Sequence, residues 1–170
     1  TINGEPTDGA FLTAYHKLMP NKESVQLEKL DLLPFDSFHR YMASLIQLSN
    51  GAKKIYLKGA PDKLFNFAQQ QDPNFERSFW QAKADHLANQ GKRIVALGVI
   101  KDADQITELE HEHLENGFTF LGLTGIIDPP RPEVITALRE MNKAKVEVKM
   151  ITGDAPLTAA AIGRQLGLSD

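Results

Sequence analysis

The 170-residue chain sets 19 lysines and arginines against 22 aspartates and glutamates, for a formal net charge of −3, and 42% of it is hydrophobic. That balance suits one globular domain, or one domain with part of another, and excludes the basic face of a protein that wraps nucleic acid. The absence of cysteine removes disulfides, thiolate catalysis and cysteine-ligated zinc, no apolar run reaches the roughly 18 residues of a membrane span, and no signal peptide opens the chain.

In chain order, Ala10, Phe11, Ala14, Tyr15 and Leu18 recur at helical spacing behind Thr7 and Asp8, which are placed to cap or open a helix. Residues 25–35 read as a strand ending near Pro34, and 39–48 as a second strand. Asn50-Gly51 is a strong hairpin signal that folds the second strand onto a third, 54–58. Pro61 then opens a helix, since the first helical turn tolerates a missing N–H. A longer helix is expected over 74–91, with Phe75, Phe79, Ala82, His86 and Leu87 on its buried stripe and Gly91 past its end. Residues 92–101 and 118–127 read as strands. Between them 102–117 is acidic and poor in large apolar groups, so it reads as loop with some helix.

After Asp128 the pattern alternates helix, strand and helix, as in a parallel α/β sheet, with 146–151 as a buried strand and a helix from Ala159 to Leu166. Only about one and a half repeats are present, too few to cover both faces of a sheet. This tail reads as part of a second domain, only partly ordered, and the whole as a soluble piece of a longer chain. Pro129, Pro130 and Pro132 stiffen the joint between the two parts.

Four places carry candidate chemistry. Lys58 ends a strand against Gly59-Ala60-Pro61, where a flat ligand can approach the backbone closely and an ammonium can meet phosphate or a ring nitrogen. Four such residues are more commonly a strand ending in a turn with a solvated lysine. Thr152-Gly153-Asp154 follow an apolar run and precede a helix, an arrangement suited to an anion but also to a merely capped helix. Phe35 stands at a strand end where it could lie against a purine, although most phenylalanines belong to cores. His111 and His113, two apart and with no third ligand at suitable spacing, read as a solvated polar run, and His16, His39 and His86 are scattered. No metal site is expected from this spacing, and neither a Walker-type loop nor a Gly-x-Gly-x-x-Gly fingerprint occurs.

Taken in order, GEPTDGAF, LPFDSFHRYM, YLKGAPD, GKRIVALG, GIIDPPRPE and MITGD resemble the nucleotide-binding region of a P-type cation-transporting ATPase. The resemblance runs from about residue 3 to the C-terminus. It implies an α+β nucleotide-binding domain over 1–126, an antiparallel sheet of about six strands with packed helices. Residues 127–170 would be a partial haloacid-dehalogenase-like phosphorylation domain. It further implies that Lys58 lines an ATP pocket with Gly59 leaving room for the nucleotide, that Phe35 stacks on adenine, and that Asp8 accepts from the adenine amino group or a nearby water. Arg40 and Arg93 would meet the phosphates, Asp128 and Arg131 would mark the hinge, and Thr152, Gly153 and Asp154 would touch the γ-phosphate and its magnesium surroundings.

Where many members of that family carry Glu, this chain has Asp8, and Ser37 stands where some have arginine; both imply weak affinity for isolated nucleotide. The family's Asp-Lys-Thr-Gly-Thr segment, with its phosphorylated aspartate, and its Gly-Asp-Gly-x-Asn-Asp segment are absent from these residues. The expected partners are therefore ATP, Mg2+ in the full-length protein, and the phosphorylation, actuator and membrane domains of the same polypeptide, with no nucleic acid. The parent would be an integral membrane pump holding this domain on its cytoplasmic side. Two other classes fit parts of the sequence: a stand-alone haloacid-dehalogenase-like phosphatase built around MITGD, and a non-catalytic interaction module using the acidic 102–117 segment.

Overall fold

The computed structural model describes residues 6–21 and 27–168; the first residues of the opening landmark, the start of the segment expected as a strand from residue 25, and residues 169–170 lie outside it. Helix α1 (Pro6–Leu18) is followed by strands β1 (Glu28–Leu33), β2 (Tyr41–Gln47) and β3 (Lys53–Gly59), helices α2 (Pro61–Gln71) and α3 (Arg77–Ala88), and strand β4 (Arg93–Ile100). A short 3₁₀ turn (His111–Leu114) then leads to β5 (Phe118–Ile126), α4 (Pro132–Lys143) and α5 (Pro156–Leu166).

The five strands form one antiparallel sheet in the order β1-β2-β3-β4-β5. Five strands among the described residues stand where the sequence suggests about six, and no helix among them is long and apolar enough to cross a membrane. The hairpin joining β2 to β3 turns at Asn50-Gly51 as expected: Gly51 takes φ +85°, open to glycine, and its N–H donates to the Leu48 carbonyl. Both outer strands are bulged. Leu30 is the extra residue between the Lys29 and Asp31 pairings, and Leu121 the extra residue opposite Leu97 and Gly98.

Strand alternation divides the sheet's two faces. Ala43, Leu57, Gly98 and Phe120 are paired across four strands, and with Leu45, Ile55 and Ile100 they look toward α2 and α3. Leu64 and Ala68 of α2 complete this core, while Trp80 of α3 meets Phe120 edge-on at 5.0 Å between ring centroids. Lys58 is one residue out of phase with Leu57, so it emerges on the opposite face beside Met42.

Two expectations are corrected. Helix α3 buries Ala84 and Ala88, whereas Phe79, Ala82 and His86 of the expected stripe are exposed and Leu87 is half-buried; the small side chains let the helix approach closely, and Trp80 is the large one that reaches the sheet. Residues 146–151 form no strand: Val146, Met150 and Ile151 are exposed, Ile151 at 97%, because none of the described strands pairs with this segment and its backbone has no ladder to join. The tail packs in part. Residues 144–151 lie exposed apart from half-buried Val148, but α5 buries Thr158 and Ala161, and the hydroxyl of Thr158, a residue 2% exposed, donates to the Lys92 carbonyl at 2.9 Å.

Candidate functional site

A cleft of about 870 Å³ opens where the ends of β2, β3 and β4 meet the start of α5. Its lining includes Phe35, Arg40, Lys58, Gly59, Arg93, Gly153 and Asp154, residues drawn from five separate stretches of the chain.

The loop between β1 and β2 sets one wall. The Asp36 carboxylate, through Oδ1, accepts the backbone N–H groups of Phe38 and His39, each at 2.8 Å, and the Asp36 carbonyl accepts the Arg40 N–H. This closes a tight turn that leaves Phe35 59% exposed at the cleft and puts Arg40 in the left-handed region at φ +59°. The same bonds, that from the His39 N–H foremost, hold the Asp36 carboxyl below its ordinary pKa, because they favour the charged form. Arg40 reaches Asp62 in the first turn of α2, where a carboxylate also complements the helix dipole.

At the floor, Lys58 pairs with Asp8 of α1 and lies 5.5 Å from the centroid of the Phe11 ring, so its ammonium is held between a carboxylate and an aromatic face. Gly59 follows with no side chain, and the reason lies within the protein. A Cβ there would come 2.5 Å from Tyr41 Cβ and 2.7 Å from the Arg40 carbonyl oxygen, so a side chain would strike β2 rather than fill the cleft. The Ala60 N–H donates to that same Arg40 carbonyl, and Pro61 starts α2 as expected.

The far wall comes from the 152–158 segment. Arg93 donates from both Nε and Nη2 to Asp154 Oδ1, at 2.9 and 2.7 Å, while the Thr152 hydroxyl bonds Oδ2 at 3.1 Å and accepts the Asp154 N–H. Asp154 is thus held on both oxygens. Thr152 is exposed and touches the cleft only through Asp154, and Asp8 only through Lys58. Asp128 and Arg131 are exposed beyond the end of β5 and stand outside the cleft.

The family described as P-type ATPase, cytoplasmic domain N, matches residues 1–133. The chain belongs to that family. Among related proteins, a calcium-transporting ATPase of Bacillus subtilis is 36% identical over 98% of this chain and 20% of its own length. The cation-transporting ATPase pma1 of Synechocystis is 34% identical over 99% and 19%, and the rat calcium-transporting ATPase type 2C member 2 is 30% identical over 99% and 18%. The chain therefore spans about one fifth of the length of these relatives, and further parts of a larger polypeptide are implied.

Domain N also contains a constellation that the sequence order conceals. His111 is not solvated apart from the rest. Its ring stacks on His39 with centroids 3.8 Å apart and planes 19° from parallel, and its Nδ1 meets the Tyr41 hydroxyl at 2.8 Å. Asp36 Oδ2 in turn meets His39 Nδ1 at 2.8 Å. The nearby signal in the sequence is Asp36-x-x-His39 at a turn; nothing in the order links it to His111.

Proposed function

We propose that the cleft binds ATP and that this domain N serves a P-type ATPase which couples ATP hydrolysis, through an aspartyl-phosphate, to cation transport across a membrane. The carrying observation is the cleft's lining: an exposed aromatic ring at one wall, cationic Lys58, Arg40 and Arg93 around the space, and Gly153 and Asp154 at the far wall. In this reading Phe35 stacks on adenine, Lys58 reads the nucleotide from below, and Asp8 either holds Lys58 or turns to the adenine amino group. Arg40 and Arg93 neutralise phosphate charge. Thr152, Gly153 and Asp154 position the γ-phosphate for attack by an aspartate supplied by the rest of the polypeptide, a step in which positioning and electrostatics provide most of the catalysis. Residues 127–170 belong to the phosphorylation domain, with Asp128 and Arg131 at the hinge, and the actuator and membrane domains complete the pump, this domain lying on the cytoplasmic side.

Magnesium is required by the same reading. The carboxylates at the cleft already have protein partners: Asp62 holds Arg40, Asp85 accepts from Gln81, and Asp154 holds Arg93 and Thr152. That donor set fits an ion that arrives on the nucleotide's phosphates, as Mg2+ commonly does. When bound, it would neutralise phosphate charge.

Calorimetric titration with ATP, ADP and AMP, with and without Mg2+, tests the proposal on the wild type and on Phe35→Ala. All three nucleotides should saturate the site, weakly, and Phe35→Ala should weaken each by about 5- to 150-fold, the value of one base-on-aromatic stack. Arg93→Ala should weaken ATP more than AMP. No saturable binding at millimolar nucleotide would overturn the reading, and failure of AMP alone would shift the anchor from adenine to phosphate.

A further inference from the structure

We propose that Asp36, His39 and His111 form a binding site for a borderline divalent transition-metal ion of the Zn2+, Co2+ or Ni2+ type, outside the cleft and separate from the magnesium that accompanies a nucleotide. Their ligand atoms all lie within 4.8 Å of one another. Two imidazoles and one carboxylate are a donor set suited to these ions, whereas Mg2+ and Ca2+ select oxygen ligands.

Three features hold the donors in place. Asp36 spends Oδ1 on the backbone N–H groups of Phe38 and His39, which leaves Oδ2 on the side of the cluster, where it meets His39 Nδ1. His111 is carried by a segment anchored on both sides. Leu109 and Leu114 are buried in the core, and the Leu109 N–H donates to Asp31 Oδ2 at 2.7 Å. Tyr41, only 5% exposed, holds His111 Nδ1 through its hydroxyl, the kind of second partner that fixes the ring of a metal-bound histidine. Coordination through His111 Nε2 keeps that bond.

Bonds of about 2.0–2.2 Å around a tetrahedral ion place donors roughly 3.3–3.6 Å apart. Asp36 Oδ2 and His39 Nδ1, now 2.8 Å apart, must therefore separate by roughly 0.5–0.8 Å and give up their hydrogen bond, while wider gaps in the cluster close. The His39–His111 stack must open so that both rings turn their edges to the ion. His111 is exposed, so its ring can make that turn, and water completes the coordination as at other three-ligand sites. The ion would clasp the 109–114 segment to the β1–β2 loop. The site stands whether or not the cleft binds nucleotide.

The test uses the 170-residue chain without a histidine tag and without nucleotide, titrated with CoCl2 and followed by visible absorption. One equivalent should produce the strong d–d bands of a low-symmetry Co2+ site, Zn2+ should abolish them by displacement, and Mg2+ should leave them unchanged. His111→Gln and Asp36→Asn should each weaken Co2+ by at least about tenfold, since losing a partner that merely orients a ligand already costs that much; His16→Gln should leave it unchanged. His111→Gln changes an exposed residue, and far-ultraviolet circular dichroism confirms its fold. No saturable binding at millimolar Co2+ and Zn2+, or binding that survives both His39→Gln and His111→Gln, would overturn the proposal.

Discussion

Replacing Gly59 with alanine separates a structural need for glycine from a ligand-driven one. The added Cβ would sit 2.5 Å from Tyr41 Cβ and 2.7 Å from both Tyr41 Cα and the Arg40 carbonyl oxygen, against the 3.5–4.0 Å of an ordinary carbon contact. Relief requires β2 and β3 to part by about 1 Å at the Tyr41–Gly59 pairing, because all three opposing atoms are backbone or bonded directly to it. Tyr41 and Gly59 are both buried, so solvent cannot absorb the movement. Overpacking of this kind costs about 1–3 kcal/mol, which for a chain of this size lowers Tm by roughly 2–12 °C. Urea denaturation of Gly59→Ala beside the wild type measures it directly, and the midpoint should fall with no change in the slope. Nucleotide affinity should fall as well, since Lys58 and Arg40 adjoin the displaced pairing. A variant as stable as wild type, within about 0.5 kcal/mol, that nonetheless loses nucleotide would refute the argument and return Gly59 to the role of making room for a ligand.

Thr158→Val should destabilise the chain by about 1–2 kcal/mol, because it removes a buried hydroxyl and leaves the Lys92 carbonyl without that donor; thermal unfolding reads this. Asp31 accepts the N–H groups of Leu109 and Leu32, and these bonds, Leu109's first, hold its carboxyl below the ordinary value. A depressed carboxylate stabilises the folded state fully above its unfolded pKa of about 3.9 and loses that contribution as pH falls through the lower folded value. Asp31→Ala should therefore be less stable than wild type at neutral pH and converge with it in strong acid, and the Leu109 amide should exchange faster at neutral pH when followed by NMR.

What was legible in the sequence was local. Asn50-Gly51 specifies its hairpin and Lys58-Gly59-Ala60-Pro61 its strand, turn and helix start, because each depends on backbone conformations that adjacent residues decide. The cleft was legible through a different route: its candidate residues come from separated landmarks, and only their shared order pointed to one pocket. Residues 146–151 were misread because an apolar run carries no information about whether a neighbouring strand exists to pair with it. The buried face of α3 was misread because the expected stripe followed the large side chains, while close contact was made by Ala84 and Ala88. The histidine cluster was invisible for a topological reason. Tyr41 and His111 are 70 residues apart, and the buried Leu109 and Leu114 that bring them together look, in sequence, like two leucines in an acidic loop.

The bulges at Leu30 and Leu121 bear on how this sheet behaves among its neighbours. They fall on β1 and β5, which among the described residues have a partner strand on one side only. An unpaired strand edge invites another chain to add itself, and an extra residue breaks the regular spacing of N–H and carbonyl groups that such an addition needs. Both borders are thus poor templates for a strand added by a second copy. At high concentration, that resistance would keep copies of this chain from joining edge to edge.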